Sequence, residues 1–310
     1  MSALAFTRPQ RGIGIAEILV ALTLGLLVTL AASAMLLVAN RDFVNHGANA
    51  RLTDGGRYAL ELVEQGLRQS AWTDLETGTG TAADAAPAIT GLDNRSLTRT
   101  AAGLGGAVAG INGSDVLALR FSGAGNVAGY ASVIDCAGFA AGTAQDGWSI
   151  FYVGMADDGE SELRCKYVAQ SGNWNADAIV RGVDSFQVLY GVDTDEPRDG
   201  IPNRYLNASG IAALDGALAL AGATPAEQAA DLRRRTWWKR VATVRVALLL
   251  HGETGSRPAS LPARYELFGA AYGDALDAGT QIDEARLPEA LRWRARRVFE
   301  TAVLLRNRDG

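Results

Sequence analysis

Catalytic machinery is what this sequence most plainly lacks. His46 and His251 are its only histidines, too few and too far apart in the chain for a multi-histidine metal site. No Ser/His/Asp or Cys/His arrangement, phosphate-binding glycine loop or zinc-ligand spacing occurs anywhere, so neither an enzyme nor a cofactor is expected. Lysine is scarce as well: Lys166 and Lys239 are the only two among 29 basic residues. With the excess of Ala and Gly, that bias reads as the codon usage of a GC-rich genome and not as a functional signal. A net charge of -5 gives no global pull toward nucleic acid. Two cysteines, Cys136 and Cys165, suffice for one disulfide if the domain lies outside the cytosol, and only the amino terminus can supply that condition.

What is present begins there. Residues 1–12 read MSALAFTRPQRG, with Arg8 and Arg11 and no acid, and an apolar run extends from Ile13 to Ala39. As a helix this run covers about 40 Å, enough to cross a hydrocarbon core of roughly 30 Å with some tilt. Basic residues ahead of the span place the amino terminus in the cytoplasm and translocate everything after it. An ordinary secretory signal would instead be cut after the apolar stretch, near Ala31-Ala32-Ser33-Ala34, where small residues do occur. That alternative leaves Glu17 unexplained. A charge in the centre of a membrane helix costs about 2.5–3.5 kcal/mol on the lenient insertion scale, and an acid within the span is a functional candidate by default.

The run Arg11-Gly12-Ile13-Gly14-Ile15-Ala16-Glu17-Ile18-Leu19-Val20-Ala21-Leu22 resembles the leader of type IV prepilins and pseudopilins. The resemblance implies that a prepilin peptidase cuts between Gly12 and Ile13, that Ile13 is then N-methylated, and that Glu17 becomes the fifth mature residue. Ile13 stands where phenylalanine is usual, and Gly14-Ile15-Ala16 where Thr/Ser-Leu-Ile is usual. A charged amine left beside lipid by the cut needs a counter-ion. In the family the glutamate of one subunit supplies it to a neighbour in the filament.

Past the span, residues 41–71 contain no proline, and Leu52, Ala59, Val63 and Leu67 recur near helical spacing, which predicts a continued, amphipathic helix. Gly47, Gly55 and Gly56 are expected to kink or locally melt it, each costing about 1 kcal/mol against alanine. Arg51, Arg57, Glu61, Glu64 and Arg68 read as its solvated face. Residues 77–114 read as loop or weakly ordered connection, rich in Gly, Ala, Thr and Asp. Strands are predicted over 115–121, 148–153, 185–190, 241–250 and 297–306, with Val244, Val246, Leu248 and Leu250 on the buried face of a half-buried strand. Gly and Asp in the gaps point to an antiparallel sheet. Within 207–235, an inserted surface feature, Thr224-Pro225 starts a short helix running toward Arg235.

Three stretches narrow the resemblance. Gly56-Arg57-Tyr58-Ala59-Leu60-Glu61-Leu62 with Leu67-Arg68-Gln69-Ser70-Ala71, the run from Gly182 to Asp195, and the terminal run from Arg297 to Arg308 are similar to the PilW family of minor pilins. That resemblance implies an α+β, type IV pilin-like fold: a long amino-terminal helix, half membrane-spanning and half amphipathic, packed on an antiparallel β-sheet, with a large β-rich carboxy-terminal domain. The expected parts are a leader (1–12), a membrane and filament-core helix (13–39), its amphipathic continuation (40–72) and a periplasmic globular domain (73–310). Implied partners are prepilin peptidase, other minor and major pilins, the pilus assembly platform and a tip-associated adhesin. The implied place is the bacterial inner membrane, with a single span, and then the pilus.

Two further clusters carry competing readings. Asp193, Asp195 and Asp199 suggest a calcium loop, but Pro197 takes the fifth ligand position and Gly200 comes late, so a solvated acidic turn is the favoured reading. Trp237-Trp238 after Arg233-Arg234-Arg235 would suit single-stranded DNA; core packing beside a solvated basic edge is favoured, and no specific nucleic-acid partner is evident. Cys136 and Cys165 are expected to bridge. Two rivals to the pilin reading stay open: a minor pseudopilin of a type II secretion system, and a membrane-tethered periplasmic binding module that does not polymerise.

Overall fold

The structure, a computed structural model, describes residues 12, 14–70, 85–123, 133–141, 146–257, 261–272 and 277–305. Helix α1 (Ile15–Gln69) opens the chain, and two compact units divide within it, Met1–Asn49 and Ala50–Gly310. In the first unit every described residue of the span Ile15–Asn40 is exposed. Leu26, for example, is 71% exposed. An apolar surface of that length is not stable in water.

The second unit is mostly β-structure. Its first strands are β1 (Ile89–Leu92), β2 (Arg95–Leu97), β3 (Ala107–Ala109), β4 (Val116–Ser122), β5 (Val133–Ile134) and β6 (Ala140–Ala141). Then come β7 (Asp146–Met155), β8 (Ser161–Val168), β9 (Trp174–Arg181), β10 (Val183–Val192) and β11 (Arg204–Leu206). Helices α2 (Ala208–Gly216) and α3 (Pro225–Arg235) precede β12 (Val241–His251), β13 (Arg264–Glu266), β14 (Gln281–Asp283) and β15 (Arg296–Leu304). The strands form two main sheets, ordered β1-β4-β7-β8-β9 and β11-β10-β12-β15, with antiparallel pairing throughout.

Both sheets turn one face to the later part of α1. Leu52, Ala59, Leu60, Val63 and Leu67 share one core with Leu117, Leu119, Phe151, Val153 and Leu163 of the first sheet, and with Phe186, Val188, Val246, Leu248 and Val303 of the second. The expected local melting does not occur: α1 stays helical through Gly47, Gly55 and Gly56. At Gly56 and Gly66 the reason for a glycine is packing. A Cβ on Gly56 would lie 2.4 Å from the Phe299 ring, and one on Gly66 would lie 3.0 Å from Leu119. Glycine lets helix and strand approach more closely than any side chain would allow.

Three other expectations are corrected. Residues 85–114 are no loose connection, since they contain β1, β2 and β3; Ile89 and Leu97 are buried, which secures these short strands. Residues 77–84 lie outside the described residues. Strand β12 is half-buried only at its start, where Thr243 and Arg245 are partly exposed. Further along, Ala247 and Leu249 on its outer face pack with Leu267, Phe268, Ile282 and Leu287, because residues 261–272 and 277–291 fold back over that face. The 207–235 segment is also more than a surface insertion. Ala208 and Ile211 of α2 belong to the main core, and Asp93 accepts the Ala208 and Ser209 N–H groups at 2.9 and 2.6 Å. Helix α3 starts at Thr224-Pro225 as expected, with a reciprocal Thr224/Glu227 capping box.

Candidate functional site

The amino-terminal feature is built from few parts. Gly12 is exposed, and Ile13, expected to carry the cleavage and N-methylation, lies outside the described residues. Glu17 sits in the first turn of α1 and accepts the Gly14 N–H at 3.2 Å. A carboxylate there answers the orphan N–H groups and the positive end of the helix dipole. Ala21, Gly25 and Thr29 come after Glu17 at four-residue spacing and line one groove along the helix with it, while Ser33, a further four residues on, has turned well round the helix from Glu17. The two hydroxyls are satisfied inside the helix: Thr29 donates to Leu26 O at 2.9 Å and Ser33 to Thr29 O at 2.8 Å. The face therefore combines one carboxylate with a stripe of small residues, the kind of surface that admits another helix at short range.

Cys136 and Cys165 form a disulfide, with Cα atoms 5.8 Å apart. It ties the β5–β6 ribbon to β8, beside the stacked rings of Phe139 and Tyr167. The bridge closes a sequence separation of 29 residues. Replacing both cysteines by serine is expected to lower stability by about 3 kcal/mol. The fall should appear as a lower urea midpoint for the full chain in detergent micelles, and an unchanged midpoint would show that the bridge does not constrain the unfolded chain.

Next to the bridge, Asp135 accepts the Ala137 and Phe139 N–H groups at 2.9 and 3.0 Å. Burial outweighs these bonds and pushes its carboxyl from 3.8 up to about 6. The folded chain thus binds this proton more tightly than the unfolded chain. Stability from this group is greatest at low pH and is lost as pH rises through about 6. Asp135→Asn, which keeps an acceptor and cannot ionise, is expected to flatten that part of the profile. The check is the difference in urea midpoint between native and variant chains at pH 4.5, 5.5 and 6.5; a difference constant across the three refutes the assignment.

Asp193, Asp195 and Asp199 approach within 4.8 Å of one another. Asp193 accepts from the Asp195 and Gly200 N–H groups at 3.0 and 2.6 Å, Asp199 from Ile201 N at 2.8 Å, and Asp195 from Asn203 Nδ2 at 2.9 Å. The loop closes on its own donors, as a solvated acidic turn does. Trp238 meets the Tyr190 ring edge-on at 4.8 Å, and Arg240 lies over Trp237 at 4.6 Å. Both indoles pack against the main core. Arg234 and Arg235 pair with Asp231.

Sequence reading missed a buried ion-pair network. Arg296 donates to Asp184 at 2.6 Å and to Glu284 at 3.0 Å, and all three side chains are wholly buried. His251 stands between Asp184, at 2.9 Å, and Glu160, which also pairs with Arg294 at 3.1 Å. Arg257 and the N–H groups of Ala263 and Trp293 complete the surroundings of Glu284. Burial works against ionisation of Glu284, yet these donors hold its carboxyl below the ordinary range. No motif announces such a network, because its members are up to 136 positions apart.

The PilW family, described as type IV pilus-assembly protein W, matches residues 150–307, just over half of the chain. The chain belongs to the PilW family. It is a type IV pilus-related protein, and one amino-terminal helix is long and apolar enough to cross a membrane. The matched segment, which begins within β7, lies wholly outside the apolar span Ile15–Asn40, so the two indications are independent. Among solved structures, this PilW-family chain is similar to a type IV-like pilin from Thermus thermophilus, at 12% identity and a TM-score of 0.39, over 84% of this chain and 99% of that one. No curated protein matches it.

Proposed function

We propose that this PilW-family chain is a minor pilin: a structural subunit that primes a type IV pilus, joins other minor pilins near its tip and supports twitching, adhesion or DNA uptake. The observation that carries the reading is Glu17 at the start of an uncovered apolar helix, five residues after a glycine and a basic leader. Prepilin peptidase would cut between Gly12 and Ile13, and Ile13 would be N-methylated. The Glu17 carboxylate would then pair with the amine of a neighbouring subunit, whose helix settles along the Ala21–Gly25–Thr29 face. Before assembly the chain spans the inner membrane once, its amino terminus cytoplasmic and residues 73–310 periplasmic. The assembly platform and a tip-associated adhesin complete the partners.

Mass spectrometry of the mature chain tests the foundation. The expected amino terminus is a methylated Ile13. An intact Met1, or a cut near Ala34, removes the pilin reading and leaves a tethered module or a secreted domain. The physics of Glu17 is shared with pseudopilins, so the choice of machine needs a second measurement. Gene deletion is expected to abolish twitching and spare exoprotein secretion; the reverse outcome assigns the chain to a type II secretion system.

A further inference from the structure

The outer face of the first sheet carries a feature unrelated to the amino-terminal helix. Register sets Arg120 opposite Trp148, Lys166 opposite both Ile150 and Ala176, and Val168 opposite Trp174. Directly opposed residues stand on one face of a sheet, and Ile150 and Ala176 lie in the cluster on the outer face, with Trp148 and Trp174 packed against it. The two indoles meet across β8, with centroids 6.0 Å apart and planes tilted by 59°. Beneath them the Lys166 side chain is wholly buried, and its Nζ has no hydrogen-bond partner among the described residues. Among the described residues its charge lies over the Trp174 ring, 5.6 Å from the centroid.

Such an amine is poorly provided for. An ammonium removed from water without an anion costs more than one cation–π contact returns. Burial accordingly lowers its affinity for a proton. The chain uses arginine almost everywhere else, but a guanidinium cannot shed its charge, so lysine is the only basic residue tolerable there without a partner. The roof over it is not sealed: Trp148 and Trp174 are only half-buried. Trp174 opens β9, an edge strand of the sheet, directly after the turn at Ala169–Asn173. Arg120, paired with Asp146 at 3.1 Å, gives the site a polar rim beside Trp148.

We propose that Trp148, Trp174 and Lys166 form a binding site for an acidic sugar. The indoles stack on the apolar faces of its ring, and the Lys166 ammonium takes its carboxylate once Trp174 turns aside. Flat apolar faces, a single unpaired cation and a polar rim within the span of a few residues fit one sugar ring. A peptide segment would need a groove.

The test is titration of the full chain in detergent micelles with sodium glucuronate and with glucose, read by tryptophan fluorescence and calorimetry. Saturable binding of glucuronate is expected, with glucose at least about tenfold weaker, the worth of one charge-assisted hydrogen bond. Lys166→Met, which replaces a buried charge by an apolar chain and should fold, is expected to lose the preference for glucuronate. Trp174→Ala is expected to weaken both ligands. Absence of saturable binding, an equal response to glucose, or an unaltered Lys166→Met titration would overturn the proposal and leave Lys166 as a tolerated buried charge.

Discussion

Glu17→Ala is expected to leave membrane insertion and the cut after Gly12 intact while excluding the protein from pili. Arg8, Arg11 and the apolar span, which would direct insertion, are untouched by the change, and removing a charge from the span makes insertion easier. What is lost is a counter-charge. The amine that the proposed cut would create at residue 13 would lie at the lipid boundary, where an unpaired charge is costly and a paired one is worth far more than in water. Docking without Glu17 would leave a neighbour's amine unpaired in every correctly registered position, which removes the preference for correct register. The measurement is immunoblotting of sheared pili against membranes, with mature amino termini checked by mass spectrometry. Glu17→Gln, isosteric and uncharged, should fail as alanine does if charge is the operative property. Normal incorporation of either variant would make the glutamate incidental and sink the salt-bridge mechanism. Cleavage and family membership would survive that result.

The second large effect is expected at Arg296. Its guanidinium bonds Asp184 and Glu284 with no solvent access to any of the three side chains. Arg296→Met would keep much of the packing volume yet strand two buried carboxylates, and breaking a buried pair by deleting one partner costs about 3–5 kcal/mol. His251 still faces Asp184, and Arg257 still reaches Glu284, so the loss should fall toward the lower end of that range. The effect would be read as the shift of the urea midpoint of the full chain in micelles. Arg296→Lys retains the charge but not the forked geometry, and an intermediate loss is expected. A variant as stable as the native chain would mean that the carboxylates find water or protons at little cost. The network joins the turn before β8, β10, β12 and β15 with Arg257, Glu284 and Arg294, so its loss should also loosen the cover over the outer face of β12.

These two sites differ sharply in how they are written into the chain. The proposal for Glu17 rests on a one-dimensional pattern: basic residues, a glycine, an acid five residues on and an apolar run all lie within residues 1–39. Hydrophobic periodicity likewise located the five longest apolar strand runs and the amphipathic part of α1, since those patterns reflect one element facing one core. Strands β8 and β9 escaped that reading. Arg164, Lys166 and Asp177 interrupt their apolar pattern, and their surroundings are visible only in the fold. Arg164 donates to Met155 O at 2.9 Å and Asp177 accepts from the Tyr167 hydroxyl at 2.7 Å, while Lys166 lies under Trp174 without an anion among the described residues.

The sequence alone therefore determined the membrane-competent helix, the carboxylate at its start, the pair of cysteines and the β-rich character of the remaining chain. Each depends on residue type and local spacing. Tertiary structure decided the rest: which glycines of α1 admit Phe299 and Leu119, how residues 261–272 and 277–291 bury the second face of β12, and where Asp184, Glu284 and Arg296 meet. The physical reason is the same throughout. A glycine, a charged residue or an alternating strand has its energy set by whatever lies across from it, and only the folded chain specifies that neighbour.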